Sequence, residues 1–395
     1  MYVFLGLFSF IPFYFVVAYF FIRPIIQPLS NQHYLLLGAI PIATSMILFI
    51  GNSILIHKLK NKTKIFFPRI LCPLIIFALG FISLISTNDL NQSIAHLAKY
   101  SIVIGVYIII SYNATSYENI KNMLALIALS SLIPLLYGIY QRFILYMPRP
   151  DSLMSDYNEF GIYICLMIMI NLFVIINSEK YFKFKYLFYT ILFLQIFSLV
   201  ISLNRGSWIA LTISFFLSIF FFYKKLPVIK ILISFIILLS ISFGVITQRM
   251  GELNKLNEDG YSQNTFAGRI GAWTILSKMI NIKPITGYGI GTASSIDLRG
   301  VKIAPHNDYI RMAYDLGWLG GFVYFLFLLS PCYRSLFNRT ERYSWSLNFI
   351  SFTSGVYFFV ISGFQNPAYS FINMPLYLLL TSLPHYKLQH HQDEK

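Results

Sequence analysis

The stretch PHNDYIRMAYDLGWLGG, Pro305 to Gly321, collects a histidine, an arginine and two aspartates within eleven residues of a chain that is only 11% charged. His306 follows a proline and precedes an apolar helix. An imidazole there can take a proton near neutral pH, or serve as a cap and hydrogen-bonding group. On a helix, Asp308, Arg311 and Asp315 fall at i, i+3 and i+7, the spacing of an exposed ion-pair stripe. Ala313, Gly317 and Gly321 recur every four residues, a small-residue face that predicts close approach of another helix.

Other segments offer related chemistry. SLNRGSW (202–208) joins two apolar runs with almost no loop, so Arg205 stands at the membrane–water boundary, either paired and used or snorkelling to headgroups. FAGRIGAWTILSKMI (266–280) repeats apolar residues at Phe266, Ile270, Trp273, Leu276 and Ile280, with Arg269 elsewhere on the wheel. That period predicts a helix lying on the membrane or capping a cavity. GYGIGTASS (287–295) centres on Gly289 but lacks a surrounding strand-turn-helix unit, which excludes a dinucleotide site and leaves a turn or backbone amides facing an anion. Segments expected on one side of the membrane carry Arg23, Arg142, Arg149, Arg205, Arg249, Arg269, Arg299 and Arg311, whereas loops on the other are mostly lysine. Guanidinium forks bind phosphate bidentately, so this skew predicts an anionic, phosphate-bearing ligand. DxD, HExxH and GxSxG signatures are absent, so metal-dependent transfer, zinc hydrolysis and serine hydrolysis lose their usual marks, and no metal site or cofactor is expected.

The elements that must position these groups are membrane helices. The chain is 57% hydrophobic with a mean hydropathy of +0.66, and its apolar runs have the length of a bilayer crossing. About twelve spans are expected, at 2–22, 34–57, 65–86, 97–112, 122–140, 160–176, 184–203, 206–222, 227–246, 313–333, 345–363 and 367–383. The fold class is all-α: a polytopic integral membrane protein forming one transmembrane domain over 1–395. A large periplasmic loop at 247–306 contains short helices, and a second outer loop covers 141–159. The first run lacks a basic n-region and a cleavage site and reads as an uncleaved helix. Basic loops at 57–64, 178–185, 224–225 and 338–342 and the basic tail alternate onto one side, which predicts both termini in the cytoplasm. The net charge of +15 then reflects topology and anionic headgroups. No basic stripe with interleaved aromatics remains, so nucleic acid is excluded as a partner. Cys72, Cys165 and Cys332 lack partners at ligand spacing and read as packing residues.

Together these residues resemble the O-antigen ligase and polymerase superfamily. His306–Asn307, nine residues, then Gly317-Trp318-Leu319-Gly320 is similar to the ligase pattern. NRGSW resembles its arginine-glycine turn, with Asn204 in place of the usual serine; GRIGAW resembles its Gly-Arg helix, and GYGIG the glycine turn that follows. DYNEFGIYICL (156–166) is more weakly similar to a preceding helix start. The resemblance covers Asn204 to about Leu329; the first 140 and last 65 residues match in hydropathy alone. It implies a metal-independent glycosyltransferase of the bacterial inner membrane. The donor would be an undecaprenyl-diphosphate-linked saccharide and the acceptor lipid A-core, with membrane lipids around it. A polymerase acting on a growing glycan is the alternative, and a bicarbonate-type transporter a more distant one. In that frame Arg205 and Arg269 hold the diphosphate, His306 accepts or orients the acceptor proton, and Asn307, Arg142, Arg311 and Gly289 contribute to substrate binding.

The orientation is testable directly. A cysteine placed at Ser262 should react with an impermeant maleimide in intact cells whose outer membrane has been permeabilised; labelling only after lysis would reverse the topology.

Overall fold

The computed structural model describes residues 19–22, 24, 71–113, 117–177, 185–222, 266–294, 296–298, 301–302, 305–337, 344–370 and 372–382. The expected spans 34–57 and 227–246, most of 2–22, the basic loops and the first part of the long outer loop lie outside the described residues.

Eleven helices order the described chain: α1 (Leu71–Ser83), α2 (Leu90–Asn113), α3 (Tyr117–Ser130), α4 (Leu132–Phe143), α5 (Tyr157–Ile176), α6 (Lys185–Ile201), α7 (Arg205–Phe222), α8 (Phe266–Ile282), α9 (Asp308–Phe337), α10 (Ser344–Ile361) and α11 (Asn373–Ser382). Four stretches, Tyr117–Phe143, Tyr157–Ile176, Arg205–Phe222 and Asp308–Phe337, are long and apolar enough to cross a membrane. The helical expectation therefore holds, with one exception. Strands β1 (Asp297–Leu298) and β2 (Val301–Lys302) pair antiparallel, a two-residue ladder too short to leave a period-2 pattern in the sequence.

α5 is the centre of the packing. Its residues from Phe160 to Asn171 are all buried, and it lies against α3, α6, α7, α10 and α11. A helix enclosed on every side needs no polar face, which explains its uniformly apolar sequence. The expected span 122–140 lies within the stretch Tyr117–Phe143, whose helical hydrogen bonding is interrupted for one residue at Ser131, itself in α-helical conformation. Pro134 has no amide for the Ser130 carbonyl, and the Ser130 and Ser131 hydroxyls turn back onto the Ile127 and Ala128 carbonyls at 2.7 and 2.6 Å.

The largest departure from the expected spans is α9. At Gly317 the backbone takes φ 77°, ψ 175°, and the two limbs fold back on each other. Tyr309 and Phe325 would be about 24 Å apart on a straight helix; their ring centroids are 6.0 Å apart. A Cβ added at Gly321 would meet the Ala313 Cβ at 2.9 Å. The small residues thus let two halves of one segment approach, where sequence spacing predicts contact with a different helix. The continuous limb able to span begins at Trp318, not at Ala313.

Gly317 has no substitute at this break. Its φ is strained for any side chain, and a Cβ would lie 2.5 Å from the Ile285 carbonyl oxygen. Gly317→Ala should cost roughly 2 kcal/mol or more, read as a fall in the unfolding temperature of detergent-purified protein. An unchanged temperature would mean that the fold does not depend on the break.

Candidate active site

The first limb of α9 is held from two directions. Asp315 is fully buried; its carboxylate accepts from the Gly291 and Ala293 amides, both at 2.9 Å, and from the Tyr369 hydroxyl at 2.8 Å. The Tyr288 and Gly289 amides donate to the Tyr314 and Asp315 carbonyls at 2.9 and 3.0 Å, closing the open end of the limb. The glycine turn does face an anion, as one sequence reading allowed. That anion is Asp315 of the same chain, so the Gly289 amide assigned to substrate is already engaged. At Gly291 the φ of 84° and the His96 ring beside it leave room for glycine alone.

At its other end the limb is tied by Asp308. The Asp308 amide donates to the Ser362 carbonyl at 2.7 Å, and its carboxylate accepts from the Ala368 amide at 2.6 Å and the Tyr324 hydroxyl at 3.2 Å. Asn307 caps the helix, its Oδ1 accepting from the Tyr309 and Ile310 amides at 3.0 and 3.2 Å. That oxygen is engaged at the helix start, so Asn307 acts as a cap.

His306 lies between these clamps in a left-handed conformation, φ 43°, unusual for a residue with a side chain. On one side the Trp273 indole N–H donates to the Pro305 carbonyl at 2.6 Å; on the other Asn307 fixes the helix. Burial pushes the imidazole pKa down to about 4, and the Arg269 and Arg311 cations add to the shift. His306 is therefore a neutral base at pH 7. Arg269 donates to the Phe364 carbonyl at 3.2 Å, and its own pKa is lowered, chiefly by burial and also by Arg205. Arg205, exposed at the first position of α7, thus joins Arg269 and His306 in one electrostatic cluster.

Three helix starts surround this cluster. The Asp156 carboxylate caps α5 through the Asn158 and Glu159 amides at 2.6 and 2.8 Å, Asn204 caps α7 through the Ser207 amide at 3.1 Å, and Asn307 caps α9. Gln365 joins the first two, donating to Asn204 Oδ1 at 2.5 Å and Asn158 Oδ1 at 3.2 Å. Helix N-termini carry partial positive charge, so they add to the arginine field rather than oppose it. Neither Arg205 nor Arg269 forms an ion pair with a carboxylate among the described residues.

The remaining candidates fall elsewhere. Arg142 closes its own loop, donating to the Met147 and Pro148 carbonyls at 3.2 and 2.8 Å. It is not among the charges acting on His306 or Arg269. Asp308, Arg311 and Asp315 are buried instead of forming an exposed stripe; the Arg311 charge acts on both carboxylates, with no direct hydrogen bond to either among the described residues. Its guanidinium lies 4.5 Å from the Tyr369 ring centroid and its Nε has no partner among the described residues. The carboxylates are unavailable because backbone amides and tyrosine hydroxyls already engage them.

Residues 190–325 match the family model described as O-antigen ligase. Over that segment, about a third of the chain, the protein is similar to that family. Comparison with curated proteins returns no match. The matched segment contains Arg205, Arg269 and His306 and ends within the second limb of α9. Tyr157, Asn158 and the run Phe364–Tyr369 complete the surroundings from outside it; the expected spans 345–363 and 367–383 left Phe364–Asn366 as a break and put Pro367–Tyr369 inside the last span, whereas these three form a 3-10 turn and the helix starts at Asn373. The signal in FQNPAY was two amides and a proline within an otherwise apolar region.

With the free-enzyme imidazole titrating at about 4, kcat/KM should stay flat from pH 8 to about 5 and fall only below that. An acid limb centred near 6.5 would place His306 in an ordinary aqueous setting and undo this geometry.

Proposed function

We propose that this chain is an O-antigen ligase-type glycosyltransferase of the bacterial inner membrane. On this reading the site opens to the periplasm, and both termini lie in the cytoplasm. It transfers a saccharide from an undecaprenyl-diphosphate donor to lipid A-core without a metal ion. The observation that carries the reading is a neutral histidine beside Arg269 and Arg311, with Arg205 acting on Arg269 and no carboxylate paired to Arg205 or Arg269 among the described residues.

In the transfer, the acceptor hydroxyl oxygen bonds to the anomeric carbon while the bond from that carbon to the diphosphate oxygen breaks. The hydroxyl proton passes to His306. The negative charge passes to the departing diphosphate, which Arg205, Arg269 and the helix N-termini stabilise. A low imidazole pKa keeps His306 ready to accept at neutral pH, and the arriving diphosphate raises its affinity for the proton. Among the described residues no group of three or more His, Cys, Asp or Glu is placed to hold a metal ion, and guanidiniums supply the positive charge in this reading.

Two variants separate the roles. Arg205→Lys keeps the charge and loses the fork, so turnover should fall about tenfold or more. His306→Ala should retain donor affinity and lose about a hundredfold in single-turnover rate. Both are measured on protein inserted at wild-type level with lipid-linked donor and acceptor. A fully active Arg205→Lys would return that arginine to the headgroups, and near-normal turnover in His306→Ala would remove the histidine from the chemistry.

A further inference from the structure

We infer that Asn366 is a saccharide-binding residue, its side-chain carbonyl accepting a hydrogen bond from a hydroxyl or amide N–H of a sugar at the transfer point. The inference rests on the reading of the site above and adds where the sugar is recognised.

Three contacts locate Asn366. Two residues before it, the Phe364 carbonyl accepts from Arg269. Immediately before it, Gln365 holds Asn204, the residue preceding Arg205. Two residues after it, the Ala368 amide holds Asp308, itself two residues beyond His306. A chain advances at most about 3.6 Å per residue. Asn366 therefore stands within two residues of the anchors of all three groups assigned to the chemistry. Pro367 follows it and starts a single 3-10 turn (Pro367–Tyr369), which prevents the run from continuing as a plain helix.

The Asn366 Oδ1 is buried and has no hydrogen-bond partner among the described residues. Such an oxygen is costly to leave empty and asks for a donor. Ionised diphosphate offers acceptors and no hydrogens, so it cannot satisfy this atom. A saccharide offers hydroxyl and N-acetyl donors, and it must sit beside the diphosphate to which it is bonded. The neighbouring amides of Asn158, Asn204 and Gln365 satisfy one another, which holds the Gln365 backbone in place and leaves Asn366 open.

Donor and acceptor sugars share this chemistry, so the experiment has two arms. The first measures binding of undecaprenyl diphosphate and of undecaprenyl-diphosphate-N-acetylglucosamine to full-length protein in nanodiscs. The second measures the KM for the acceptor. In Asn366→Ala, affinity for the sugar-bearing lipid should drop about tenfold while the bare lipid diphosphate binds within twofold of wild type; this assigns the donor sugar. Unchanged binding of both lipids with an acceptor KM raised about tenfold assigns the acceptor sugar. Equal weakening of both lipids, or no change in either arm, overturns the inference. Asn366→Asp keeps an acceptor oxygen, so the ratio of its two lipid affinities should remain that of wild type even though repulsion weakens both. A ratio as low as that of alanine also overturns it. Wild-type protein that binds neither lipid would refute the glycosyltransferase reading itself, an outcome distinct from these.

Discussion

The buried carboxylate of Asp315 is the interaction on which the rest of the site depends. It sits two residues before the only break in α9 and is bound by two amides of the glycine turn and by a tyrosine from the segment before α11. A carboxylate taken out of water is costly unless several donors replace the lost hydration, and here three do. Its demand for donors fixes the glycine turn, and the turn in turn closes the carbonyls at the end of the limb. Asp308 repeats the arrangement at the other end, so a limb of only nine residues is held rigidly enough to present His306 in an unfavourable backbone conformation.

The placement of charge follows from this. Carboxylates beside an anion-binding arginine would compete with the ligand for it. In this protein Asp308 and Asp315 are consumed by amides and hydroxyls, and the Asp156 carboxylate by the start of α5. Arg205, Arg269 and Arg311 are left without ion-pair partners among the described residues, their field reinforced by three helix N-termini. The same field, together with burial, keeps the imidazole unprotonated. One arrangement thus concentrates positive charge and keeps the imidazole neutral.

The segment 190–325, similar to the O-antigen ligase family, supplies the charged residues, whereas the run from Ser362 to Tyr369 holds them in register. Through single contacts this run reaches Asp308, Arg269, Asn204 and Asp315. A polar strap joining helices distant in sequence is expected at the mouth of a membrane bundle. Irregular backbone is tolerated there only when its polar groups find partners.

What the sequence determined by itself was set by local periodicity and by residue chemistry. Apolar runs marked the helices, and the arginine-for-lysine skew with His306 raised the expectation of an anionic ligand. The helix expected at 266–280 is found at Phe266–Ile282, and the grouping of Arg205, Arg269 and His306 was an expectation drawn from the resemblance. The tertiary structure alone decided which polar groups are already used. Spacing could not show that Gly317 is a fold-back, because a glycine within a helical period reads the same in a straight helix. Nor could it show that the amide of Gly289 and the carboxylate of Asp315 belong to interactions within the chain, or that Asn366 is left open. Hydrogen-bond satisfaction depends on partners brought together from positions up to about 200 residues apart, and no local pattern records it.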